Sequence, residues 1–187
     1  VDEETGMFGA FGLQPNFLKG DILINMDSED EGELYVGCAG GLDANISFGY
    51  NEAEVPEGDV ALKISLTGLK GGHSGVDIHL QRANANKLMF RFLKEAVAEF
   101  EARLASIDGG SLRNAIPREA FAVITVPEEG VEDIISLVQE FEELFIEEYK
   151  GVEDNITLTV DQVELPKGLL PEEIQDDLIN GVTACFI

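Results

Sequence analysis

The run Val1-Asp-Glu-Glu-Thr-Gly6 sets neighbouring carboxylates at the end of what would be a strand. Adjacent acids repel, and burying either charge without a partner is costly. A divalent metal removes both problems if one glutamate ligates it and the other stays free as a general base. Zinc lowers the pKa of a bound water to about 7, so a glutamate beside it could take the proton and pass it to a leaving amine. Taken alone, the pair reads better as a solvated surface feature. Asp27 closes an apolar run over residues 22–26, the place where an α/β sheet sets ligand-binding residues. Its neighbours Glu29, Asp30, Glu31 and Glu33 would equally make an acidic, solvated turn. A calcium loop is excluded, because the twelfth position counted from Asp27 is Cys38 where a glutamate is required.

Further along, Gly68-Leu-Lys-Gly-Gly-His-Ser-Gly75 surrounds His73 with glycines that let backbone approach a ligand closely. The segment lacks the Gly-Lys-Ser/Thr ending of a phosphate loop. An imidazole there could donate a hydrogen bond to a developing oxyanion, although a turn histidine with no such role is the commoner case. Ser111-Leu-Arg-Asn-Ala-Ile-Pro117 offers Arg113 and Asn114, which could bind the carboxylate and amide of a small peptide. Ordinary turn chemistry ending at a proline explains that segment equally well. His79 and Arg82 read as residues at the start of a helix, and Cys38 and Cys185 as structural thiols.

Two kinds of element must position these residues. Over residues 1–40, glycines and acids bound short apolar runs at 21–26 and 34–38, which predicts buried strands of a larger α/β sheet. They have too little partner structure to make a domain by themselves. From residue 42 the pattern is regular. Alternation predicts strands at 45–50 and 60–66, then at 103–107, 120–126 and 156–160, the last extending toward 165. Helices are predicted at 82–100, where Leu88, Met89, Phe92 and Leu93 share a face, and at 131–149, where Ile134, Val138, Phe141 and Phe145 do. Leaving out the first strand, the order strand, helix, strand, strand, helix, strand is that of a ferredoxin-like α+β fold. A third helix is predicted to open at Pro171, with Glu172 and Glu173 in its first turn.

Composition narrows the classes. Twelve Lys and Arg against 37 Asp and Glu give a formal net charge of −25, a field that repels nucleic acid and anionic lipid surfaces. No apolar run approaches the roughly 20 residues that cross a bilayer, and no secretory leader is visible. Two distant cysteines make no disulfide scaffold, so a reducing cytoplasm is expected. Two histidines mean that a zinc site built from this chain would rest mostly on carboxylates. Because Val1 opens in the middle of a motif, the chain is expected to lack its natural N-terminus.

The four motifs in this order resemble the co-catalytic zinc peptidases, a family that includes aminoacylase, carboxypeptidase G and carnosine-cleaving dipeptidases. Asn25-Met-Asp-Ser-Glu-Asp-Glu-Gly-Glu33, Gly37-Cys-Ala-Gly-Gly41 and Gly71-Gly-His-Ser-Gly-Val-Asp-Ile-His79 are most similar to its aminoacyl-histidine (Xaa-His) dipeptidase branch. The resemblance spans nearly all 187 residues. It implies Glu3 as general base, Glu4 and Asp27 as ligands of two zinc ions, His73 as oxyanion donor, and Asn114, with Arg113, as substrate-binding residues. It implies a fragment of an α/β zinc-binding catalytic domain over 1–41 and an α+β lid over 42–187, through which such enzymes pair as homodimers. The family's His-x-Asp ligand, bridging aspartate and C-terminal histidine ligand are absent from these residues. Catalytic zinc takes three protein ligands, so this polypeptide alone is expected to bind zinc weakly and to be inactive. The lid is expected to be cut short after the helix at 171. Two other readings stay open: a non-catalytic α+β binding or dimerisation module, and an aminoacylase-type deacylase of the same family.

Overall fold

A computed structural model of the chain describes residues 6–24, 31–37, 40 and 42–185. The chain divides into two units, Val1–Ser47 and Phe48–Ile187. In the first, the described residues form one short helix, α1 (Phe8–Phe11), and otherwise irregular backbone. The apolar side chains of Phe8, Phe11, Ile22, Leu23 and Val36 are exposed. The strands expected at 21–26 and 34–38 are not formed over 21–24 and 34–37, and the rest of both runs lies outside the described residues. A strand needs a neighbour to pair its N–H and C=O groups, and this unit supplies none among the described residues. Residues 45–50, also expected as a strand, are irregular. Their alternation is real, but no ladder recruits it.

The second unit is α+β. Strand β1 (Asp59–Thr67) is followed by a two-residue strand β2 (Gly72–His73) and helix α2 (Ala85–Phe100). Strands β3 (Arg103–Gly109), β4 (Ala115–Ile116) and β5 (Ala120–Pro127) lead to helix α3 (Val131–Glu148), strand β6 (Thr157–Val163) and helix α4 (Glu172–Ala184). The main sheet has the order β3-β5-β1-β6 and is antiparallel throughout, which is the ferredoxin-like arrangement read from the sequence. Alternation along β1 and β5 puts Leu62, Ile64, Leu66, Ala122, Ile124 and Val126 into one core cluster. The buried stripes of α2 and α3 join it, and Phe92, Phe141 and Phe145 meet edge to face at 5.7 and 5.5 Å between ring centres.

Local chemistry sets the helix boundaries. The Asn84 side chain accepts from the Lys87 N–H at 3.2 Å, so α2 starts after it rather than at residue 82. Glu132 and Asp133 occupy the first turn of α3, where the helix dipole favours anions. Pro171 caps α4 from outside, and the helix begins at Glu172.

Helix α4 is not a loose end. Ile179 is buried in the core cluster, and the buried Gln175 accepts the Leu104 N–H at 2.7 Å through Oε1. The Leu170 N–H donates to the Leu104 carbonyl at 2.8 Å. Residues of the C-terminal segment thus satisfy backbone groups at the start of β3, an edge strand, which blunts that stretch of the edge. Cys185, expected as a structural thiol, is exposed, while Cys38 lies outside the described residues.

Candidate functional site

The turn at residues 70–83 carries His73 and is held shut at both ends by one carboxylate. Glu153 is 6% exposed, and its Oε2 accepts the Lys70 N–H at 2.8 Å while its Oε1 accepts the Ala83 N–H at 3.0 Å. Glycine is required at the turn's base. Gly68 has φ +84°, and a Cβ there would meet the Asn155 carbonyl.

Inside that frame His73 is exposed but ordered by bonds to its own loop. Its N–H donates to Asp77 Oδ2 at 2.9 Å, and its carbonyl accepts the Asp77 N–H at 2.9 Å. Its Nδ1 accepts from the N–H groups of Gly75 and Val76 at 3.0 and 3.1 Å. A nitrogen accepting two N–H donors carries no proton, so the neutral ring bears its hydrogen on Nε2. A Cβ at residue 75 would stand 3.3 Å from His73 Cε1, so glycine leaves room for the folded ring.

The second motif is drawn to the first by main-chain pairing. Strands β2 and β4 match Gly72 with Ile116 and His73 with Ala115, and the Ser74 N–H donates to the Asn114 carbonyl at 2.8 Å. His73, Arg113 and Asn114 are thereby brought onto adjoining loops. A cavity of about 460 Å³ beside them is lined by Ser74, Ile78, Asn84, Asn86 and Arg113 among others. The residues expected to hold metal are not in this view: Glu3, Glu4 and Asp27 all lie outside the described residues. Among the described residues no three His, Cys, Asp or Glu side chains converge to hold a metal ion.

Sequence reasoning missed the parts played by four residues here. Asp77 stands in the quoted motif but had no role assigned. Arg82, expected at a helix start, instead donates through NH1 to the Gly71 carbonyl at 2.6 Å and to Asp77 Oδ2 at 3.4 Å. His79 likewise lies outside α2, in a single 3-10 turn, with Nδ1 2.9 Å from the Val76 carbonyl. Glu153 is 83 residues from Lys70, and no spacing rule links them.

Behind the turn, a second cavity of about 500 Å³ is lined by Ile78, Arg82, Glu148 and Tyr149. Arg91 grips Glu148 through two bonds of 2.7 and 2.8 Å. The hydrogen bond from Arg91 holds the Glu148 carboxyl below the usual carboxylate range, and the same bond raises the Arg91 guanidinium. Burial pushes the Tyr149 hydroxyl up.

Residues 64–153 match the family described as "Peptidase dimerisation domain". The whole chain is similar to the cytosol non-specific dipeptidase of Escherichia coli (strain K12), with 48% identity over 184 residues, covering 98% of this chain and 38% of that protein. It is also similar to the crystal structure of aminoacylhistidine dipeptidase from Vibrio alginolyticus, with a TM-score of 0.77 and 41% identity over 99% of this chain and 38% of that one. The chain thus spans 38% of the length of each relative.

Proposed function

We infer that this chain, whose residues 64–153 match the peptidase dimerisation domain family, is part of a metallo-dipeptidase that hydrolyses aminoacyl-histidine and other dipeptides. Support comes from the likeness along nearly the whole chain to two dipeptidases, and from the one site feature that suits acyl transfer: a histidine whose Nδ1 is sequestered, so that Nε2–H is its outward donor.

In this reading residues 1–41 belong to the catalytic domain and 42–187 to a lid that pairs with a second copy. Glu4 and Asp27 would each offer a carboxylate to one of two zinc ions, and two carboxylates alone would leave both ions short of ligands. Zinc, when bound, would supply an acidified water. Glu3 would be the general base, its carboxylate holding a proton in transit to the departing amine. His73 donates Nε2–H to the oxygen of the attacked carbonyl as charge builds there. Arg113 and Asn114, on the loop tied to Ser74, hold the substrate's carboxylate and backbone. No helix among the described residues is long and apolar enough to cross a membrane. The cytosol dipeptidase of Escherichia coli, similar along nearly all of this chain, supports a cytoplasmic location.

The test is His73→Ala in a protein of the full length of these relatives. A donor that acts on the developing oxyanion is worth about 10²–10³ in kcat, with KM little changed. An unaltered kcat would refute the role given to His73.

A further inference from the structure

We propose that Asp77 is a positioning residue for His73: its carboxylate, steadied by Arg82, fixes the turn in which the imidazole lends Nδ1 to the loop and keeps Nε2–H for a ligand. The bonds form a closed circuit. Arg82 NH1 holds the Gly71 carbonyl and reaches Asp77 Oδ2, and the same oxygen accepts the His73 N–H. The Asp77 N–H returns to the His73 carbonyl. The turn so closed aims the Gly75 and Val76 N–H groups at Nδ1. Space is as tight as the bonding. A Cβ at Gly72 would stand 2.6 Å from Arg82 NH1 and 2.7 Å from Asp77 Oδ2. Asp77 and Arg82 are partly shielded, at 29% and 26% side-chain exposure, so the pair keeps strength that a fully solvated one loses.

A neutral imidazole free in solution exchanges its proton between two nitrogens, and only one tautomer presents Nε2–H. The loop removes that choice with two main-chain donors, and Asp77 keeps those donors in place. No group of the Asp77–Arg82 pair needs to touch substrate. The catalytic consequence of this arrangement rests on the reading of His73 as an oxyanion donor, but the arrangement itself does not. Its test is therefore made on the 187-residue chain without substrate or metal, where failure of the circuit is distinct from failure of the dipeptidase reading.

The experiment is nitrogen-15 NMR of the imidazole under conditions where the ring is neutral, with amide exchange at residues 73, 75 and 76. The unsubstituted chain is expected to show protonated Nε2, bare Nδ1, and slow exchange at all three amides despite their exposure. Asp77→Ala is expected to give a mixture of tautomers and about tenfold faster exchange at Gly75 and Val76, the loss of about one hydrogen bond. Asp77→Asn keeps an oxygen for the His73 N–H and is expected to retain the tautomer. Protonated Nδ1 or unprotected amides in the unsubstituted chain would overturn the proposal without any variant. So would an Asp77→Ala chain that keeps both tautomer and exchange rates. Global unfolding of that variant would also overturn it, by making Asp77 a residue of the fold as a whole.

Discussion

At the scale of single residues, the second unit uses carboxylates as clamps on neighbouring groups, and their chemistry predicts how pH acts on it. Glu148 accepts two bonds from Arg91, whose guanidinium also lies 5.2 Å from the Phe145 ring centre. The Glu148 carboxyl is held below its ordinary range in the folded chain. A carboxyl depressed by folding stabilises the fold above its unfolded value, and that contribution disappears as pH falls through the folded value. The unsubstituted chain should therefore melt above Glu148→Gln at neutral pH, with the gap closing as the solution is acidified. A gap in melting temperature that stays constant from neutral to acid would contradict the assignment. Arg91 and Glu148 are 37% and 38% exposed, enough for salt to weaken the pair as well.

At the scale of elements, what the sequence made legible was set by length. Residues 59–67 and 120–127 alternate over enough positions for period two to stand out, and α2 and α3 each carry a full apolar stripe. Strands β2 and β4 have two residues each, too few for any period, so the pairing that joins the His73 loop to the Asn114 loop was invisible. Residues 45–50 alternate and still form no strand, because pairing is a property of two segments. The boundary error of α2 traces to its cap, Asn84, whereas α4 opens at Pro171 with Glu172 and Glu173 in its first turn, as read from the sequence. Of the candidate site, His73, Arg113 and Asn114 were legible as motif members, whereas Asp77, Arg82 and Glu153 act through contacts that motif reading does not encode. Glu153 gives the sharpest test of that element-level design. Glu153→Gln preserves shape but turns an acceptor into a donor facing a main-chain N–H, at Lys70 or at Ala83. The expected loss is about 1–3 kcal/mol of unfolding free energy by denaturant titration. A loss within about 0.5 kcal/mol, the range of ordinary surface changes, would show that the clamp does not hold the turn.

At the scale of the whole molecule, a net charge of −25 keeps the surface solvated and repels nucleic acid, while the buried apolar cluster of the second unit holds the fold against that self-repulsion. The first unit leaves Phe8, Phe11, Ile22, Leu23 and Val36 exposed, and Glu3, Glu4 and Asp27 lie outside the described residues. The proposed function is that of a dipeptidase with Glu3 as its general base and His73 as its oxyanion donor. The most direct measurement is the hydrolysis rate of an aminoacyl-histidine dipeptide by the zinc-loaded protein at the full length of its relatives, compared with its Glu3→Gln variant. The expected result is turnover by the unsubstituted enzyme and a fall of about 10²–10⁴ in kcat for the variant with zinc retained. Equal rates from the two, or no hydrolysis by the unsubstituted protein, would contradict it.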